Sequence, residues 1–183
     1  MVQKKSNRSS RRIAIILASK DFRDEEYFIP KKILEETGFK IKTASDKLGL
    51  AIGAEGGEAK VDFLLSEVNP IDFEAVIFIG GPGCLIHLDN NDSYKIIKET
   101  VSQDKILAAI CISPVILAKA GVLIGKKATV WSSPLNKDSI EILKNNGAEY
   151  LNQNVVVDGK IITANGPSAA EEFGKAILKS LTK

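Results

Sequence analysis

Apolar runs of strand length alternate with longer amphipathic stretches along this chain. Residues 12–18 (RIAIILA), 75–81 (AVIFIGG) and 106–110 (ILAAI) are almost uniformly apolar and end in turn residues or polar joints, the pattern of strands buried on both faces. Residues 24–37 (closed by Gly38), 91–102, 114–120 (stopped by Gly121), 137–147 and 169–181 predict helices. FKIKTA (39–44) reads as a half-buried strand, KATVW (127–131) as another, and 154–164 as a hairpin turned at Asp158 and Gly159. The charged, glycine-rich segment 46–62 suits a hairpin or two small strands beyond the main sheet, and GGPGCLIHLDNN (80–91) reads as a polar loop leading into a helix. This alternation predicts an α/β, three-layer sandwich: a mostly parallel central sheet with helices on both faces.

Length adds that 183 residues suit one domain, residues 12–183, preceded by a disordered basic arm, residues 1–11. No apolar run approaches the ~20 residues a bilayer span needs, and no signal peptide follows the basic start. Two cysteines form no disulfide framework, so a reducing, cytoplasmic setting is expected. The net charge of +2 depends on the arm and does not argue for nucleic acid.

The chemistry gathers where LAAICISPVIL breaks at Cys111. Ligands of open parallel sheets collect beyond the carboxyl ends of the strands, and Cys111 stands at such an end. Ser113 reads as an N-cap and Pro114 as a first helical residue, an arrangement that would lower the thiol pKa through the helix dipole. The plainer alternative is a cysteine packed as a small hydrophobe. Gly80 and Gly81 end the neighbouring strand, either as turn glycines or as places where backbone N–H groups approach a ligand. Pro30 has no N–H and leaves the Glu26 carbonyl unpaired, a break that could aim a carboxyl into a cleft. Taken on the residues alone, however, Asp24, Glu25 and Glu26 read as a solvated acidic run at a helix start. His87, the single histidine, reads as a half-exposed loop residue that follows the glycine strand end, with a catalytic role only if it approaches Cys111. Cys84 and His87 form a C-x-x-H pair, too few ligands for zinc.

These pieces, in this order, resemble the superfamily of ThiJ, the parkinsonism-associated protein DJ-one and the PfpI intracellular protease. The likeness runs from Arg12 through the acid before IP, GGPG, AAICISP, AGVLIGKKAT, NKD, VVVDGKIITANGP and the last helix. It implies a flavodoxin-like fold of the class I glutamine amidotransferase type. It also implies a cysteine nucleophile on a strained elbow, Cys111, hydrogen-bonded by a glutamate four residues before a proline, Glu26. Gly80 and Gly81 match the pocket glycines. Ile112 stands where the protease-like members have histidine, Ser133 where the DJ-one-like members carry theirs, and Asn165 where some have arginine.

The resemblance implies a cofactor-independent enzyme acting on a small aldehyde or dicarbonyl, of the glyoxalase III or deglycase type, and a homodimer. In that reading Cys111 adds to the carbonyl and Glu26 shuttles protons, and the Cys111 pKa falls below that of a free thiol only if Glu26 is protonated, since an ionised Glu26 opposes the thiolate. N–H groups near Gly81 and Ile112 hold the oxyanion, and Ser133 stands at the substrate. Peptide hydrolysis fits less well without the neighbouring histidine as general acid. The rival reading is a non-catalytic redox sensor or chaperone-like protein whose Cys111 oxidises to the sulfinate.

Overall fold

A computed structural model describes residues 11–183; the basic arm expected at residues 1–11 lies, but for its last residue, outside them. The elements run β1 (Arg12–Ile16), β2 (Lys20–Phe22), α1 (Asp24–Glu36), β3 (Lys40–Ser45), β4 (Gly49–Gly53), β5 (Glu58–Val61), β6 (Phe63–Leu64), β7 (Ala75–Phe78), α2 (Cys84–Leu88), α3 (Asn91–Ser102), β8 (Ile106–Ile110), α4 (Pro114–Lys119), β9 (Lys127–Ala128), α5 (Asp138–Asn145), β10 (Glu149–Tyr150), β11 (Val155–Asp158), β12 (Ile161–Ala164) and α6 (Ala170–Leu181).

The main sheet has the order β11-β12-β8-β7-β1-β3-β6 and is parallel except for the β11–β12 hairpin. Strand alternation explains why its central strands are apolar throughout. Ile13 and Ile15 of β1, Ala75 and Ile77 of β7 and Ala108 and Ile110 of β8 face one core, where α1 (Tyr27, Leu34) and α6 (Phe173, Ile177) cover them. Ala14 and Ile16, Val76 and Phe78, and Leu107 and Ala109 face the other, closed by α3, α4 and α5. The expected three-layer architecture is therefore present, with both faces of the sheet buried.

Four local expectations are corrected. KATVW forms a strand only at Lys127–Ala128, where β9 pairs with β10; Thr129 to Trp131 leave the ladder to pack behind the elbow. The polar loop after Gly81 contains the helix α2, whose Cys84 and Leu88 are buried under the sheet. The hairpin register pairs Asp158 with Ile161, so Gly159 and Lys160 make the turn, one residue later than read. Segment 46–62 does form a hairpin, but β4 also pairs with the unforeseen β2. That hairpin is clamped to α1, because the Asp24 carboxylate accepts from the N–H groups of Glu55 at 2.9 Å and Gly57 at 2.7 Å.

Helix α1 continues through Pro30, which replaces one ladder bond by packing. Gly174 of α6 lies against it, where an added Cβ would stand 3.1 Å from Pro30 Cα. This close approach fixes α1, and with it the side chains of its first turn, relative to the sheet.

Candidate active site

The elbow is built from β8 outward. Cys111 follows the last residue of that strand and has φ +65°, a left-handed conformation that a residue with a Cβ adopts only under strain. Hydrogen bonds hold it there: the Cys111 N–H donates to Ala164 O at 2.9 Å, and Cys111 O accepts from the Trp131 N–H at 2.7 Å. Ser113 does not act as the expected N-cap. Its buried hydroxyl accepts from the Ile110 N–H at 2.9 Å and lies 2.9 Å from Phe78 O, tying the end of β8 to the end of β7.

Gly80 and Gly81 continue from β7 to face the elbow. A Cβ on Gly80 would meet Cys111 Cβ at 2.6 Å and Glu26 Oε2 at 2.8 Å, so glycine is what lets the three residues converge. Gly81 has φ +111°, and a Cβ there would meet Asp21 O at 2.7 Å. Both are positions of close approach between protein segments, and the Gly80 N–H is spent on Glu26 and not left for a ligand.

Glu26 is fully buried, contrary to the solvated acidic run read from the sequence. The reason is the docking of α1: its first turn is covered by the hairpin held on Asp24, and Glu26 points inward under Gly80. Glu26 Oε2 accepts from the Gly80 N–H at 2.9 Å, and the carboxyl contacts the Cys111 thiol. Glu26 Oε1 is buried and, among the described residues, has no hydrogen-bond partner. Burial pushes the Glu26 carboxyl up to about 7, against the opposing effects of Cys111, Gly80 N–H and Arg23.

A lowered thiol pKa is expected only with Glu26 protonated, and the charged carboxylate acts the other way. Burial and then the adjacent Glu26 charge push the thiol well up, and the N–H groups of Gly81 and Ile112 directed at the sulfur only partly offset them. Helix α4 has six residues, too short for its dipole to reverse that order. Neutralising Glu26 removes the charge opposing a thiolate, so the two groups behave as one coupled acid holding a shared proton.

A pocket of about 290 Å³ opens over the sulfur, lined by Arg23, Gly81, Pro82, Leu85, Cys111, Ile112 and Trp131. Cys111, Glu26, Gly80, Gly81 and Ile112 thus come together. Ser133 and His87 do not join them. Ser133 sits in a turn in which its hydroxyl accepts from Asn136 N at 3.0 Å, and Trp131 lines the pocket in its place. His87 Nδ1 bonds Asp46 Oδ2 at 2.8 Å, and His87 is not among the residues that line the pocket. Among the described residues no three His, Cys, Asp or Glu side chains group as a metal site would require. Sequence reasoning passed over Arg23 and Trp131. Arg23 adjoins the acidic run, where a cation reads as a surface charge, and Trp131 reaches the site through a loop that carries no local signal.

The comparisons with known proteins agree with this geometry. The sequence matches the DJ-1/PfpI family over residues 11–180. It is 41% identical over 182 residues to the uncharacterized protein MJ0967 of Methanocaldococcus jannaschii, covering 99% of this chain and 87% of that one. It is 32% identical to the deglycase PfpI of Pyrococcus furiosus, covering 91% of this chain and 98% of that one. The crystal structure of a ThiJ/PfpI domain protein from Brachyspira murdochii superimposes with a TM-score of 0.88 at 35% identity, covering 93% of this chain and 96% of that one. A strained cysteine at the end of an inner strand, a buried acid beneath it and a sequence match over nearly the whole chain lead to one conclusion: the protein belongs to the DJ-1/PfpI family.

Proposed function

We propose that the protein is a cysteine-dependent enzyme that converts small α-oxo aldehydes to hydroxy acids, or removes such aldehydes from their early adducts with amines. The observation that carries this reading is the contact of the Cys111 thiol with a buried Glu26 carboxyl whose pKa is raised to about 7. A relative named a deglycase supports the same class.

The chemistry follows from the shared proton. As the sulfur adds to the aldehyde carbon of R–CO–CHO, the thiol proton passes to Glu26 and then to the new alkoxide, giving a hemithioacetal. Glu26, again a carboxylate, takes the proton from that carbon and returns it to the neighbouring carbon through an enediol, while the hydroxyl proton of the first carbon moves to the oxygen of the second, so the adduct becomes a 2-hydroxy thioester. Water cleaves the thioester to release R–CHOH–COOH and restore the thiol; the net change is addition of one water. The N–H groups of Gly81 and Ile112, directed at the sulfur, stand beside the adduct oxygen and favour its charge. No external oxidant or cofactor is required.

Two rivals fit less well. Amide hydrolysis calls for a general acid at the leaving amine, and the histidine of this chain is committed to Asp46. Redox sensing draws on the same thiolate but gives no use to the Glu26 proton shuttle, and stoichiometric oxidation by peroxide without turnover would mark it. A cytoplasmic homodimer belongs to the same proposal. The test is conversion of methylglyoxal to lactate by the purified, reduced protein. Turnover that disappears in Cys111→Ala is expected; no lactate from the parent, or undiminished lactate from Cys111→Ala, contradicts the reading.

A further inference from the structure

The pocket over Cys111 carries one charged side chain at its wall, Arg23; every other lining side chain is apolar apart from the thiol itself. The position of Arg23 is fixed from its backbone. Its N–H donates to Gly80 O at 3.1 Å, so the residue just before α1 is strapped to the glycine segment that faces the sulfur. Toward solvent its Nη1 meets Glu55 Oε1 at 3.3 Å, and Glu55 is more than half exposed, so this ion pair is weakly held. The Arg23 Nε is buried and, among the described residues, has no hydrogen-bond partner.

A guanidinium at the wall of a pocket with no other charged lining side chain, held only by an exposed carboxylate, is a ready partner for an oxyanion on a ligand, to which it donates with charge assistance. From this we infer that Arg23 is a specificity residue that receives a carboxylate on the substrate, so that the preferred substrates are small α-oxo aldehydes that also carry a carboxylate. The inference rests on the proposed carbonyl chemistry for its biological meaning. Its physical content, a preference of the Cys111 pocket for carboxylate-bearing electrophiles, does not depend on turnover.

Two alkylating agents of nearly equal size isolate that content. Iodoacetate carries a carboxylate and iodoacetamide a neutral amide; in both, the sulfur displaces iodide from the CH₂ carbon. Rates of modification of Cys111 are followed by mass spectrometry of the peptide that contains it, and the iodoacetate-to-iodoacetamide ratio is taken for parent, Arg23→Gln and Arg23→Lys. Because Glu26 and the thiolate are common to all three, their repulsion of iodoacetate cancels in the comparison. The ratio is expected to fall about five-fold from parent to Arg23→Gln, the size of one partly screened ion pair, and to be largely kept in Arg23→Lys. An unchanged ratio in Arg23→Gln overturns the inference. So does an equal loss in Arg23→Lys, which would trace the effect to altered packing instead of charge. Failure of methylglyoxal turnover would sink the functional reading alone and leave this ratio as it is.

Discussion

Glu26 Oε2 accepts a hydrogen bond from the Gly80 N–H at 2.9 Å, which sets a fully buried acid from the first turn of α1 under the end of β7. A carboxyl whose folded pKa is about 7 and whose ordinary value is 4.5 binds more protons in the folded state between those limits. The stability it contributes is therefore complete below pH 4.5 and is lost as pH rises through 7. Urea unfolding from pH 4.5 to 8 is expected to show a loss of up to about 3 kcal/mol from this group. In Glu26→Gln, which keeps an acceptor for Gly80 and removes the titration, that loss is absent and the variant is the more stable of the two at pH 8.

Gly80→Ala tests whether close approach holds the pair together. The new methyl group would overlap Cys111 Cβ and the Glu26 carboxyl, so a stability loss of about 1–3 kcal/mol is expected from overpacking. Methylglyoxal turnover should fall by at least about 100-fold, the order of loss expected when reacting groups are displaced by an ångström. Denaturant titration and initial rates check both.

Ser113→Ala removes the hydroxyl shared by the Ile110 N–H and the carbonyls of Phe78 and Ile110. Stranding buried strand-end groups is expected to cost about 1–3 kcal/mol. Ser113 is a positioning residue, so Ser113→Thr, which keeps the hydroxyl, should recover more of kcat than Ser113→Ala while KM changes little in either.

His87→Ala separates the histidine from the chemistry. The Asp46 carboxylate also caps Ser19, through its N–H at 2.8 Å and Oγ at 3.0 Å, and keeps those partners in the variant. The expected cost is about 1 kcal/mol of stability for the lost hydrogen bond, with turnover within about two-fold of the parent, a difference too small for a base in the reaction. A larger fall in kcat would place His87 in the mechanism.

The layers of the fold were legible because β1, β7 and β8 are apolar on both faces and the helices between them carry helical periodicity, signals that are local. The elbow was legible as a break in an apolar run at Cys111. What no local signal carried was burial. Glu26 looks like the rest of the acidic run, and it is buried together with Asp24 because Pro30 packs on Gly174 and the hairpin closes over Asp24, both contacts with distant segments. Strand-end position suggests a helix dipole that lowers the thiol pKa once Glu26 is protonated; the depth of burial, the larger effect on the thiol, had no local signal. Trp131 entered the site through tertiary pairing with Cys111 O, and Ser113, which resembles a cap in sequence, spends its hydroxyl on two strand ends.

The central claim is that Cys111 and Glu26 share one proton, and the pH profile of Cys111 alkylation by iodoacetamide tests it most directly. With the pair coupled, the reactive form holds its proton on Glu26, so its share is constant once the pair has lost its first proton. The rate in the parent should therefore rise to an inflection near pH 7, the Glu26 value, and then level off. In Glu26→Gln the inflection near 7 should vanish and the rate should climb toward higher pH as a lone buried thiol ionises. Superimposable profiles in parent and Glu26→Gln, both rising without a break through pH 7, would contradict the account.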